Sequence, residues 1–320
     1  WLTNKAGSTA DSRDVLALID LGENSPFNNH IYNTAQVTGG PGYAQLPTGF
    51  TGSGVSSLQS NNLLDVLKNA APNVRYTNDN TIASFFQANG GTDNYAKLSY
   101  ARKLKSTEYT INAQLGYVSL NSSLNADEVL AVAFQYTVNG VTYQVGEFST
   151  DIPVNGDAAR TQLFVKLLKN ETLKTTLPTW NLMMKNIYSL NAFQVNSSGF
   201  ILNILRNDEN TGIPKPQMSE GSNTAGKLWI QLTGLDNLNQ QSASTPDGLF
   251  DFIEGVTIDS QNGRIKFPVL EPFGSDLRAK FNPSETLLID KYVFKELYEQ
   301  TQADAQNKYP NHNRYTIQGT

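Results

Sequence analysis

The stretch that decides the fold is Glu128–Phe148, EVLAVAFQYTVNGVTYQVGEF. Phe134, Tyr136 and Val138 alternate with polar residues before Asn139-Gly140, and Val141, Tyr143 and Val145 do so after it. Successive strand side chains point to opposite faces, so this period of two predicts two paired strands. Asn-Gly is the preferred pair for a type I′ turn, which needs positive φ at both central positions. An antiparallel β-hairpin is therefore expected across 139–140.

Upstream, Glu108–Leu120 (EYTINAQLGYVSL) continues the β pattern. Nearer the start, RDVLALIDLGE at 13–23 predicts a strand with Val15, Ala17 and Ile19 on one face and Leu16, Leu18 and Asp20 on the other. Its nearly unbroken apolar character predicts burial on both faces. Residues 24–57 are rich in Asn, Gly, Pro and Thr without a period, which predicts a long loop. Helical spacing over 58–71 ends at Pro72, and a second short helix is expected over 80–87. Together they make a loop and helix insertion at about 24–93.

Downstream, 157–170 (DAARTQLFVKLLKN) predicts an amphipathic helix capped by Asp157, with Leu163, Phe164, Leu167 and Leu168 as its buried stripe. A second helix is expected over 179–190, its Met183–Met184 pair serving the core. A hairpin over 193–205 turns near Ser197-Ser198-Gly199, and 228–232 reads as a strand. Ile253–Ile258 and Arg264–Val269 are expected to pair across Asn262-Gly263. Residues 285–307 predict one helix capped by Ser284 or Asn282, and RYTIQGT at the end begins a strand. The fold class expected is α+β, with antiparallel sheets and packed helices. The expected division is a β-rich part, 1–152, and an α+β part, 153–320, with DIPVNGD at 151–157 as linker.

Two segments echo each other at an offset of 147 residues. Thr110-Ile111-Asn112, Gln114, Gly116, Val118 and Leu120 match Thr257-Ile258-Asp259, Gln261, Gly263, Ile265 and Phe267. Each reads as a β–turn–β unit in which the Asx side chain opens the turn and glycine supplies the left-handed position.

Composition narrows the chemistry. The 320 residues carry 24 Lys+Arg against 29 Asp+Glu, a net charge of -5, which argues against a nucleic-acid partner needing a basic face. With no cysteine, disulfides, thiolate metal sites and Cys nucleophiles are excluded. Charged residues are only 17%, and the 34 asparagines help fill the gap with uncharged polarity. His30 and His312 are the two histidines, with no second ligand at zinc spacing. Gly52-Ser53-Gly54 lacks the strand–turn–helix setting of a serine nucleophile elbow, and phosphate-binding glycine patterns are missing.

Acidic residues gather at Asp247, Asp251, Glu254 and Glu271. Two carboxylates on a rigid sheet are the machinery of glycoside hydrolysis, whereas turn-forming and capping roles are the plainer reading. Asp236, Asn237, Asn239, Asp247 and Asp251 offer oxygens of the kind calcium takes, without EF-hand spacing. Tyr95, Tyr100, Trp180 and Trp229 are the aromatic candidates for a sugar-stacking face, with core packing as the alternative for both tryptophans.

Three long stretches carry a resemblance: NADEVLAVAFQYTVNGVTYQVGEFSTD (125–151), LPTWNLMMKNIYSLNAFQV (177–195) and PDGLFDFIEGVTIDSQNGRIKFPVLEPFGSDLR (246–278). They resemble the SprA/Sov family of gliding-motility and secretion proteins, the outer-membrane translocon of the type IX secretion system in Bacteroidetes. RDVLALIDLGE and RYTIQGT fit the same pattern, so the resemblance covers roughly 4–319, with 24–93 most divergent. It implies a soluble, extramembrane segment of a very large single-chain β-barrel that passes folded cargo across the outer membrane. The partners implied are the rest of the barrel, gating or plug proteins, and secreted cargo. It implies no cofactor, metal or catalytic residue. Outer-membrane barrels keep their longer loops outside the cell, so an insertion of about 300 residues is expected at the cell surface, with the periplasm as the other possibility. The competing expectation, from a different class, is a carbohydrate-binding module or glycosidase-like β-sandwich.

Overall fold

The computed structural model describes residues 1–5, 12–21, 72–76, 79–88, 92–113, 116–138, 140–152 and 161–320. The loop expected at 24–57, the helix at 58–71, His30, Gly52-Ser53-Gly54 and most of the 151–157 linker lie outside them. The architecture is α+β, with helices and mainly antiparallel sheets in two compact units, Trp1–Leu182 and Met183–Thr320.

The first unit contains β1 (Ser12–Leu18), α1 (Asp79–Ala88), β2 (Tyr95–Arg102), β3 (Tyr109–Asn112), β4 (Tyr117–Leu120), β5 (Leu130–Val132), β6 (Phe134–Val138), β7 (Val141–Val145) and β8 (Leu163–Lys169). Its main sheet has the order β2-β1-β8-β5. β1 runs antiparallel to β2 and parallel to β8, and β8 is antiparallel to β5. As its composition predicts, β1 is buried on both faces. Leu16 and Leu18 pack with Phe164, Val145 and the α1 residues Ile82 and Phe86, while Val15, Ala17 and Ile19 join Leu163, Val165 and Leu167 opposite. Burying each large apolar side chain contributes about 1.5–3 kcal/mol. The hairpin across 139–140 forms in the expected register, Val138 opposite Val141 and Tyr136 opposite Tyr143.

The helix expected over 157–170 is overturned where it is described, because 163–169 is the strand β8. Leu163, Phe164 and Leu167 satisfy a helical stripe and a two-faced central strand equally. A short apolar run cannot separate the two, and here the pairing with β1 and β5 decides. That strand also ties the residues after 152 to the first sheet, so the unit boundary at Leu182/Met183 lies beyond the division expected at 152/153.

The second unit contains β9 (Ile187–Ser189), β10 (Leu202–Asn207), β11 (Pro214–Lys215), α2 (Trp229–Leu232), β12 (Ile258–Asp259), β13 (Arg264–Lys266), α3 (Ser275–Arg278), α4 (Thr286–Tyr292), α5 (Glu296–Glu299), α6 (Gln302–Lys308) and β14 (Tyr315–Gly319). Two three-stranded antiparallel sheets form, ordered β11-β10-β14 and β12-β13-β9. Aromatic rings fill the core. Trp229 stands edge-on to Tyr315 at 5.2 Å between centroids, and Tyr315 tilts against Phe273 at 4.7 Å.

Several expectations from Pro178 onward are corrected. The 179–190 helix is a 3-10 turn over Pro178–Leu182 followed by β9, because the Asn186 amide donates to Phe267 O (2.9 Å) and Val269 O (3.0 Å) and β9 pairs with β13. Met183 is accordingly exposed and does not serve the core. Of the 193–205 hairpin only β10 is a strand, since the N–H groups of Gln194 and Val195 go to the carbonyls of Gln261 and Ser260. The 228–232 strand is the helical turn α2, in which Gln231 Oε1 accepts the Leu228 N–H at 3.2 Å.

The single helix expected over 285–307 is broken into α4, α5 and α6. A helix needs each N–H to reach the carbonyl four residues back. Phe294 N–H goes instead to Phe273 O at 2.7 Å, and Gln300 is extended, leaving Thr301 Oγ1 to cap α6 through Asp304 N–H at 3.2 Å. The residue before α4 is Glu285, not Ser284 or Asn282, and its carboxylate accepts N–H groups from Asn282 (2.9 Å) and Ser222 (2.7 Å).

Candidate functional site

The acidic residues singled out in the sequence are each committed to backbone N–H groups. Asp236 is fully buried, and its two oxygens accept from Asp247 N (3.0 Å) and Gly248 N (2.9 Å), clasping the loop shut. Asp251 Oδ2 accepts from Asn237 N (2.6 Å) and Leu238 N (3.1 Å) on the same loop. Asp247 Oδ1 takes Leu249 N (3.0 Å), and Asn239 Oδ1 takes Gln241 N (2.9 Å) and Ala243 N (3.0 Å). Glu254 accepts from Ser260 N at 3.2 Å, while Glu271 Oε2 takes Ser275 N (3.1 Å) and Asp276 Oδ2 takes Glu271 N (2.8 Å) at the start of α3. A carboxylate that accepts backbone N–H donors is fixed in place by them, which suits it to closing loops.

These oxygens belong to neighbouring turns of one chain segment. Among the described residues no group of three or more His, Asp or Glu side chains is placed to share a metal ion. Asp236, Asp247 and Asp251, the carboxylates considered for calcium, do not form such a group.

The aromatic candidates are scattered in the same way. Tyr95 stacks on Phe86 at 4.3 Å, and Trp180 and Trp229 are buried, as the packing alternative has it. Tyr100 is exposed with φ of 54°, at the irregularity where β2 steps past β1, and its N–H is held by Asp14 Oδ1 at 2.8 Å. His312 Nδ1 lies 2.9 Å from Glu296 Oε2, a paired histidine with no second histidine beside it among the described residues.

The feature that the sequence reading missed is a recess in the second unit. Buried Arg206, Trp229 and Tyr292 form its floor, and Asp208, Lys215 and Ser219 stand around it. Its volume is about 20 Å³. Arg206 Nη2 donates to Glu209 Oε1 (3.0 Å) and Lys291 O (2.8 Å), and its guanidinium carbon sits 4.4 Å from the centre of the Tyr292 ring. Arg206 Nε and Trp229 Nε1, by contrast, are buried donors without an acceptor. Each such group costs about 1–3 kcal/mol when left unpaired. The signal was present in the sequence: in Leu202–Asn207 the buried face reads Leu202, Ile204, Arg206, an arginine in phase with core residues.

Around the recess the charges are paired. Lys215 Nζ binds Asp208 Oδ2 at 2.7 Å, and this ammonium, with the Thr211 and Asn210 donors, holds the Asp208 carboxyl well below the usual range. Lys291 Nζ binds Glu220 Oε1 at 2.7 Å, which lowers Glu220 and raises Lys291. Compared with known proteins, the chain matches no family model and no curated protein.

Proposed function

We propose that this chain is a non-enzymatic structural segment of a protein-secretion translocon, forming part of the cap or wall of an outer-membrane channel of the type IX, gliding-motility kind. In this reading it stands outside the membrane, at the cell surface. Its partners are the remainder of the barrel, gating or plug proteins, and the cargo that passes. Among the described residues no helix is long and apolar enough to cross a membrane.

The observation that carries the reading is how the motif-bearing stretches are used. Residues 186–195 and 260–269, within two of the three stretches that resemble the family, pair along one seam. Tyr188 pairs with Ile265, Leu190 N donates to Gly263 O (2.8 Å), Val195 N to Ser260 O (2.9 Å), and Phe267 N to Asn186 O (2.9 Å). The residues that make those stretches distinctive are thus occupied in building a scaffold. A second support is the commitment of Asp236, Asp251, Glu254 and Glu271 to backbone N–H groups. A low-charge, Asn-rich exterior also suits a wall that cargo must pass without sticking.

The test is removal of residues 1–320 from the intact protein in cells, with the level of the remaining barrel in the outer membrane measured alongside. Secretion of C-terminally tagged cargo should collapse while the barrel persists. Unimpaired secretion defeats the proposal. Glycan hydrolysis that disappears in Asp251→Asn or Glu254→Gln would replace it with the glycosidase reading.

A further inference from the structure

Independently of any role in secretion, one hairpin of the first unit carries an open edge, and a second hairpin of the chain shows how such an edge is closed. The pair β3–β4 is regular, and residues 109–120 include no charged residue and no proline. Asn121 N–H donates to Glu108 O at 3.0 Å, so alternation along the ladder makes Thr110–Ser119 and Asn112–Tyr117 the hydrogen-bonded pairs. The main-chain groups of Val118 and Leu120 therefore point away from β3, and no other strand among the described residues meets them. Ile111 and Val118 share one face of the hairpin and are exposed on it. Edge strands are commonly blunted by lysine, proline or a bulge, and β4 has none of these.

The matching hairpin of the second unit shows the closed form. There Lys266 N–H donates to Thr257 O at 2.8 Å, which turns the main-chain groups of Ile265 outward, as those of Val118 are turned. β9 takes that edge: Tyr188 stands opposite Ile265, Leu190 N–H donates to Gly263 O (2.8 Å), and Phe267 N–H to Asn186 O (2.9 Å). The Tyr188 ring lies edge-on to Phe267 at 5.5 Å between centroids. Gly263, Ile265 and Phe267 correspond in the repeated pattern to Gly116, Val118 and Leu120.

From this internal precedent we infer that the outer edge of β4 docks an extended segment of a partner polypeptide as a third, antiparallel strand. The segment is uncharged, because residues 109–120 offer no charge to answer one. It carries one large apolar side chain opposite Val118 and another opposite Gly116, two positions apart and so on one face. Main-chain bonds hold it to the edge, and those side chains cover the Ile111–Val118 face. A second copy of the chain is the poorer occupant. It would set Val118 beside Val118 and join two exposed apolar faces into one, whereas a tyrosine-sized side chain lies across such a face.

The experiment is an NMR titration of the 15N-labelled chain with a blocked synthetic peptide copying residues 185–191, KNIYSLN, read at the Val118 and Leu120 amides. The control is the same peptide carrying Tyr188→Pro, which cannot donate at its centre. The expected result is a saturable shift with the first peptide alone, lost in the Val118→Pro chain. Position 118 makes no main-chain bond to β3, so proline there spares the hairpin. Val118→Lys keeps the N–H and covers the case in which the proline variant unfolds; it should weaken binding about tenfold by placing a charge on the edge. Fast hydrogen exchange at Val118 and Leu120 in the free chain, and a monomer in sedimentation, are expected alongside. The proposal is overturned if the two peptides shift these amides alike or not at all, or if Val118→Lys titrates like the parent chain. Slow exchange at both amides in the free chain would show the edge already covered, and a dimer abolished by Val118→Lys would give it to a second copy; either result also overturns it.

Discussion

The hairpins β3–β4 and β12–β13 share a sequence pattern and even a register, yet one is wet and the other forms core. Ile111 faces Val118 across β3–β4, and at the matching positions Ile258 faces Ile265 across β12–β13. Asn112 opposite Tyr117 likewise corresponds to Asp259 opposite Arg264, and both turns place a glycine at positive φ, Gly116 at 69° and Gly263 at 56°. Ile111 and Val118 are 64% and 42% exposed, whereas Ile258 and Ile265 are fully buried. Among the described residues β3 and β4 pair only with each other, whereas β13 gains β9 as a third strand and Phe267 and Phe273 nearby. A hairpin's local geometry is written in its own residues. Its contribution to stability depends on what arrives to cover it.

The comparison breaks most readily at the buried isoleucine. Ile265→Ala should lower the unfolding free energy by about 3–4 kcal/mol, as buried large-to-small changes do, while Ile111→Ala should cost less than about 0.5 kcal/mol. Urea denaturation of the two variants measures the gap, and equal losses would refute the contrast. The turn glycines sharpen it. A Cβ at Gly263 would fall 2.0 Å from the carbonyl oxygen of Ala192, but one at Gly116 meets nothing within 4 Å. Gly263→Ala therefore adds a backbone clash to left-handed strain, and about 2–4 kcal/mol is expected against about 1 kcal/mol for Gly116→Ala, read from the same denaturation curves.

The smallest effect is reached by pH. Tyr188 lies opposite Ile265, and burial beside Phe267 and Phe273 pushes its phenol up from 10 to about 12. Burial raises Tyr298 and Tyr315 as well. A phenol that ionises later in the folded state than in the unfolded chain stabilises fully below pH 10, and that stabilisation fades as pH rises through 12. The loss from Tyr188 alone is roughly 2 kcal/mol. Tyrosinate absorbance and near-ultraviolet circular dichroism should change together between pH 10 and 12, and Tyr188→Phe should remove part of the dependence.

Much of the β framework was legible locally. The 139–140 hairpin, the two-faced burial of β1 and the final strand β14 follow from turn chemistry and periods of two. The three segments read as helices share one cause. In 163–169, 179–190 and 285–307 the local pattern admits a helix, and distant carbonyls or strands claim the same backbone groups, as Phe273 does with Phe294 and Phe267 with Asn186. The acidic residues of 236–271 were visible as a cluster, but their N–H partners were not, because those bonds exist only once the loops close. The recess was hardest to see. Its signal is one arginine in phase with a buried strand face, while its other donor comes from a tryptophan over twenty positions away.

By itself, then, the sequence determined where the chain turns, which strands are two-faced, and that no thiol chemistry is possible, since these depend on φ preferences, side-chain alternation and residue inventory. Only the tertiary structure decided that two like hairpins have opposite burial, that one long apolar pattern becomes three short helices, and that Arg206 and Trp229 meet at a common recess. The physical reason is that burial and hydrogen-bond partnership are properties of pairs of segments. A backbone N–H or an apolar side chain takes the best partner the whole fold brings to it, and that partner is often remote in the chain.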